Sequence, residues 1–416
     1  MRLKNIHYGW VIVIASAGIL MTYGIMMYSF GIFLKPMTEE LHWDRGTISW
    51  ALSFTIILSG AAGVVCGRLS DKYGPRSIVT IGGILSALSF ILTSRVTALW
   101  HLYLIWGLLM GTGSAFLFIP VMAVIPRWFT KRRGMAVGMA MAGSALGGVI
   151  SPLLTTSLIS ASDWRFTYII LGLIVLILSV PLAQFIKRSP QQAGLKPYGG
   201  EQITQEKHPQ IPVQPEISMS QAIKTSQFWL FGMVQLAFFF SMVTVMVHVV
   251  PHATDMKIPE VVAAGILSFV SAIGVIGRLG IGFVADRLSS RLALTLCLSL
   301  ITLATIWLIF VKEVWMFYLF AVVFGLANGG FLTLLPLVTA ELFGLASLGV
   351  ILGGLTFVGM IGEAIGAPLS GTIYDVTRSY TWAFIITSAI SAVAAILSLT
   401  LMKYKRKAAA SEAVTS

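Results

Sequence analysis

This sequence predicts an all-α polytopic membrane protein: twelve transmembrane helices in two pseudo-symmetric six-helix halves. Three observations carry that expectation. The chain is 57% hydrophobic and only 11% charged, whereas soluble globular chains carry roughly 25% charged residues; its mean hydropathy is +0.89. Apolar runs near the ~20 residues needed to cross a bilayer recur along the chain, parted by short polar links. A loop pattern also occurs twice at one offset: Gly67, Asp71, Lys72 and Arg76 correspond to Gly282, Asp286, Arg287 and Arg291. A transmembrane barrel would instead alternate in segments of about ten residues.

Taken in order, the spans fall at roughly 9–34, 47–66, 77–94, 100–125, 135–160 and 166–186 in the first half. Those of the second half fall at roughly 227–250, 262–284, 292–311, 314–340, 346–373 and 381–402. The N-terminal half is therefore 1–186 and the C-terminal half 227–402. Arg2 and Lys4 precede the first apolar run, but that run continues to Phe33, too long for the apolar core of a cleaved leader. Residues 187–226 are polar, with Pro190, Pro197, Pro209, Pro212 and Pro215, and read as a linker between the halves. Ser218 to Ser226 reads as a short interfacial helix. The tail, 403–416, is basic and then small and polar.

Charge sets the orientation. Of 28 Lys and Arg residues, twenty fall on the side that holds both termini and seven on the other, Arg278 being the remaining one. By the positive-inside rule both termini, the linker and the tail are cytoplasmic. The same distribution explains the net charge of +12 without a nucleic-acid partner, because the cations sit between apolar runs. Cys66 and Cys297 lie in or beside those runs and read as packing residues, with no disulfide framework. No phosphate-binding Gly-Lys-Ser loop, HExxH or paired-cysteine metal site occurs, which argues against an ATP-driven pump or a metalloenzyme; neither cofactor nor metal is expected.

The two halves correspond at a second place. Gly107, Gly111 and Pro120 in span four resemble Gly325, Gly329 and Pro336 in span ten. Two copies of G-x-x-x-D-[KR]-x-x-x-R after spans two and eight of a twelve-span chain resemble the major facilitator superfamily (MFS), and the resemblance covers nearly the whole chain. Finer features narrow it: His7-Tyr8-Gly9-Trp10, Trp43-Asp44-Arg45-Gly46, Ile125-Pro126-Arg127-Trp128-Phe129, Asp163-Trp164-Arg165, Gly194-Leu195-Lys196-Pro197-Tyr198-Gly199 and Gly366-Ala367-Pro368-Leu369-Ser370-Gly371. Together these are similar to the monocarboxylate porter and oxalate:formate antiporter group. The resemblance implies an MFS fold, a secondary transporter rather than an enzyme, and small carboxylates carried often with H⁺. The expected setting is the cell inner membrane, with the bilayer as partner and a monomer as the working unit.

The residues agree on the sign of the substrate. Arg278 stays protonated and costs a few kcal/mol at a helix centre. It stands eight residues, about two turns or ~12 Å, before Asp286, which is deep for snorkelling. Two readings stand: Arg278 meets a substrate anion, or it pairs with an acid, for which Glu363 is the candidate. The monocarboxylate relatives place an Asp one turn before this arginine, where this chain has Gly274. The oxalate exchangers place a lysine in span eleven, where this chain has neither Lys nor Arg from Ala346 to Tyr374. One cation suits a monocarboxylate better than oxalate.

His248, near the outer end of span seven, is a proton-coupling or substrate-binding candidate, against a packing histidine. Glu363 is the other proton carrier. Tyr23, Tyr28, Phe118, Phe331 and Phe357 are candidate walls, Phe118 and Phe357 matching positions where the relatives contact substrate; each also fits plain helix packing. Asn328 either orients substrate or hydrogen-bonds between helices. In the loops, Asp71 and Asp286 are placed to cap neighbouring helix N-termini, and Arg76, Arg287 and Arg291 to pair across the halves, so that these contacts gate an outward-open state. Glycine-rich spans five and eleven allow close helix approach.

Overall fold

The structure is a computed structural model that describes residues 7–43, 45–199 and 217–414. Arg2 and Lys4, and linker residues 200–216, lie outside the described residues. Twelve helices among those described are long and apolar enough to cross a membrane. In order they are α1 (Tyr8–Leu41), α2 (Arg45–Tyr73), α3 (Pro75–Thr93), α4 (Leu99–Trp128), α5 (Arg133–Ala161) and α6 (Trp164–Ala183). Then follow α7 (Ser226–Asp255), α8 (Glu260–Arg287), α9 (Ser290–Phe310), α10 (Val314–Phe343), α11 (Leu348–Thr377) and α12 (Thr381–Val414). The chain is a multi-pass membrane protein.

Local chemistry sets the helix ends. Asp163, Thr225 and Ser289 each accept a backbone N–H through the side chain at the starts of α6, α7 and α9, meeting donors that a first turn leaves unpaired. Gly74, at φ 90°, turns the chain between α2 and α3, and Pro75 opens α3. Three features depart from the hydropathy reading. Helix α2 runs on through the polar Arg68–Tyr73 stretch. Residues 403–414 continue α12 as helix. The linker's last part holds only a short helix, Met219–Ala222. Helix α4 also widens to π-helical turns over Tyr103–Met110, where the Phe54 ring of α2 packs against the bare face of Gly107.

The chain forms two compact units. The first takes Met1–Met219 together with Thr339–Phe357, the end of α10 and the start of α11. Its α1 and α5 cross backbone to backbone: a Cβ at Gly143 or Gly147 would collide with the carbonyls of Ala17 and Met21. An aromatic core lies behind them, with Phe33 stacked on Tyr168 at 3.7 Å and Phe30 edge-on to Trp106 at 4.5 Å; all four are buried.

The linker's first part is strapped to this same unit. Tyr198 N–H donates to the Trp128 carbonyl, and the Tyr198 carbonyl accepts from the N–H groups of Thr130 and Lys131. His7 bonds the Lys196 carbonyl at 2.9 Å through Nε2, while its Nδ1 accepts from Gly9 N–H at 3.1 Å. His7 therefore carries its proton on Nε2 when both bonds stand.

The second unit takes Ser220–Val338 and Val358–Ser416. Helices α9 and α12 are joined by Thr295 and Ser398, 2.8 Å apart, and by Arg291 Nη1 donating to the Leu401 carbonyl at 3.0 Å. Helix α7 lies along the glycine face of α11, where Gly359 meets Phe239 and Gly366 meets Phe240 and Thr244.

Candidate functional site

Two sites gather the singled-out residues, one in each unit. In the first unit, Asp71 at the end of α2 accepts from Arg127 Nη2 at 2.9 Å. It also accepts from the Val350 N–H at 3.3 Å, in the first turn of α11. Arg127 reaches further, with Nε donating to the Leu345 carbonyl and Nη2 to that of Ala346. A carboxylate at a helix N-terminus and a cation beside carbonyls near a helix C-terminus both complement the helix dipole. Glycines allow the approach. A Cβ at Gly67 would collide with the Gly349 carbonyl, and one at Gly353 with that of Gly63. Asp71 is therefore a helix cap, as its placement suggested. Its basic partner is Arg127, which sequence reading quoted only within the Ile125-Pro126-Arg127-Trp128-Phe129 motif and as a topology charge, with no gating role.

In the second unit, Arg278 is buried on α8, at 7% exposure. Helix α10 packs against the backbone beside it. Thr333 Oγ1 donates to the Arg278 carbonyl at 3.3 Å. A Cβ at Gly329 would collide with the Gly274 carbonyl, and one at Gly277 with that of Leu326, so the two backbones touch beside the arginine. Asn328, one residue before that contact, is buried with its Oδ1 unpartnered among the described residues. Gln235 on α7 is fully buried, and neither amide atom has a partner among the described residues. Buried amides are ordinarily hydrogen-bonded, so both mark a place where polar contact is available.

The profile of the Major Facilitator Superfamily matches residues 14–312 and 281–415, which together span most of the chain. The chain belongs to the major facilitator superfamily. It is a transporter, not an enzyme. Among curated relatives, human monocarboxylate transporter 11 is 30% identical over 400 residues, covering 92% of this chain and 80% of that protein. Bovine monocarboxylate transporter 13 is 29% identical over 385 residues, covering 92% and 86%. Mouse monocarboxylate transporter 12 is 27% identical over 403 residues, covering 91% and 82%.

The remaining candidates of this facilitator fall in separate places. Glu363 on α11 is half-buried and makes no hydrogen bond or ion pair among the described residues, so it does not hold Arg278 here. His248 is engaged: its Nε2 meets the Ala367 carbonyl at 3.0 Å, and its ring faces Tyr380 at 5.2 Å. Phe331 is fully buried and stacks on Phe238 at 3.7 Å, which makes it packing between α7 and α10 rather than an open wall. Tyr23 and Phe118 face each other at 5.2 Å, both half-buried. Tyr28 is 39% exposed and lies on Gly148, and Phe357 is half-buried.

The loop residues divide likewise. Arg76 Nε donates to Gln184 Oε1 at 2.7 Å, and the Arg287 guanidinium lies 4.2 Å from the Phe283 ring. These bonds, and that of Arg291 to Leu401, stay within one unit. Asp286 is exposed. Sequence reading missed Arg127, Gln235 and the Tyr198 strap. The first two carried one signal each, a cation just inside an apolar helix end and an amide in an apolar run.

Proposed function

We propose that this facilitator is a secondary active transporter of a small monocarboxylate, of the lactate, pyruvate, acetate or formate class. It carries the substrate together with H⁺ by alternating access in the cell inner membrane. It works as a monomer with both termini cytoplasmic. Arg278 anchors the carboxylate. The observation that carries the reading is the burial of Arg278 in mid-span. An ionised side chain at that depth is costly and marks a substrate or ion pathway, and its fixed positive charge suits an anion. The curated relatives, all named monocarboxylate transporters, support the same class.

A bidentate guanidinium–carboxylate contact fixes the substrate's charged end. Gln235 and Asn328 offer neutral donors and acceptors in the same unit. The absence of Lys and Arg along 346–374 favours one carboxylate over two, and so favours symport over oxalate:formate exchange. Asp71 and Arg127 form the gate on the side of the termini, and opening to that side breaks their contacts with α11.

The test is uptake by purified protein in liposomes. Labelled lactate, acetate, formate and oxalate are offered with and without an inward proton gradient. Monocarboxylate uptake driven by the gradient and lost in Arg278→Ala is the expected result. Uptake that ignores the gradient and requires internal carboxylate selects exchange. Full uptake by Arg278→Ala defeats the anchor.

A further inference from the structure

A cavity of about 420 Å³ opens on the first unit where α2 ends, α3 begins and the chain leaves α6. Four cations line it: Lys72 and Arg76 from the α2–α3 turn, and Lys187 and Arg188 from the segment after α6. No carboxylate lines it among the described residues. The first turn of α3 forms part of its wall, with no side chain capping its N–H groups, so the helix end adds to the same positive field. Among the described residues these cations form no ion pair with an acid. Arg76 gives Nε to the neutral Gln184, Lys187 lies 4.6 Å from the Tyr8 ring, and Lys72 lies 5.1 Å from the Tyr73 ring.

The cavity's position narrows the ligand. It sits at the ends of three spanning helices, where a spanning helix leaves the hydrocarbon for the headgroup region. Tyr73, one of its lining residues, is 60% exposed, and Phe185, next in sequence to the lining Ile186, is 48% exposed, as interfacial aromatics are in a bilayer. Bias among Lys and Arg places this face in the cytoplasm, where the leaflet holds the anionic lipids. A topology charge needs no cavity, whereas here two separate chain segments bring four cations to one.

We propose that this cavity is a binding site for the phosphodiester headgroup of an anionic phospholipid. Lys72 and Arg188, which make no hydrogen bond among the described residues, supply charge from the two sides, and Arg76 and Lys187 supply the rest. The site is separate from the Arg278 site, and its test reads binding rather than transport, so the two readings stand or fall independently.

The experiment uses the full chain in neutral detergent at 0.15 M salt. Short-chain phosphatidylglycerol, phosphatidylcholine and inorganic phosphate are each titrated against thermal unfolding. Phosphatidylglycerol is expected to raise the melting temperature by several degrees and the other two to leave it unchanged. The double variant Lys72→Gln/Arg188→Gln is expected to lose that shift. Lys131→Gln/Arg132→Gln, which removes the same charge elsewhere on the face, is expected to keep it. Equal loss in both variants, or an equal shift in all three proteins, overturns the site. A full shift with inorganic phosphate overturns the lipid assignment. Should the double variant not survive purification, the single variant Arg188→Gln is extracted from membranes and its bound lipid weighed by native mass spectrometry. Phosphatidylglycerol occupancy at least threefold below wild type is expected there, and equal occupancy overturns the proposal.

Discussion

Arg127 and Asp71 are ion-paired at 2.9 Å, with side chains only 9% and 17% exposed, and between them they hold the carbonyls of Leu345 and Ala346 and the N–H of Val350. Asp71→Asn keeps the shape and removes the charge. Breaking a partly buried pair of this kind costs about 2 kcal/mol, roughly a 30-fold shift in an equilibrium. The expected outcome is readier parting of α11 from α2. It is read as thiol modification of Ala346→Cys in a chain whose Cys66 and Cys297 have been replaced. Modification about tenfold or more faster in the Asp71→Asn background is expected. An unchanged rate removes the gate assignment.

His248 already spends its Nε2 on Ala367, while Glu363 has no bond among the described residues. Glu363→Gln is therefore expected to flatten the pH dependence of uptake. His248→Ala is expected to lower protein stability by about 1 kcal/mol, the worth of one hydrogen bond, with the pH profile kept. Uptake measured from pH 5.5 to 8 in both variants decides. The opposite pattern assigns the proton to His248.

At the α8–α10 crossing, Gly329 and Gly274 are not equivalent. A Cβ at Gly329 would meet the Gly274 backbone, while a Cβ at Gly274 meets only the Gly325 carbonyl, at 3.6 Å. Gly329→Ala should cost about 1–3 kcal/mol through overpacking and lower the melting temperature in detergent. Gly274→Ala should be nearly neutral. Equal melting temperatures for the two variants would contradict the crossing.

His7→Ala removes both the Gly9 acceptor and the Lys196 contact. Loss of a capping side chain costs about 1 kcal/mol. Faster hydrogen exchange is expected at the amides of Tyr198 and Lys131, which the strap protects, and unaltered exchange at both would show that His7 does not hold it.

Hydropathy made the twelve spans legible, because the bilayer demands an apolar length and little else. It could not see where helices continue past that length. Arg68–Tyr73 looks like loop by composition, yet extends α2 because Asp71 and the glycine face are used against α11. The doubled motif announced Asp71 as a cap. It could not announce Arg127, 56 residues away, because nothing in the local pattern encodes which helix ends meet. Arg278 stood out because a charge in an apolar run needs a reason. Gln235 did not, because an amide needs less of one, and only its burial without a partner gives it weight. Phe331 and Phe118 look alike in sequence, and only packing parts the buried stack from the half-exposed ring.

The glycines at the α2–α11 crossing have a mechanical consequence. Where Gly63 and Gly67 meet Gly353 and Gly349, backbone lies on backbone. These four positions bring no side chain to the crossing, so few rotamers are frozen there when the helices meet. Such a joint behaves as a bearing with almost no spring of its own. Its resting point is then set by the Asp71–Arg127 charges, and electrostatic forces respond to ionic strength and to nearby charge far more than packing does. A facilitator built this way can be biased from the membrane surface without any change in the shape of its helices.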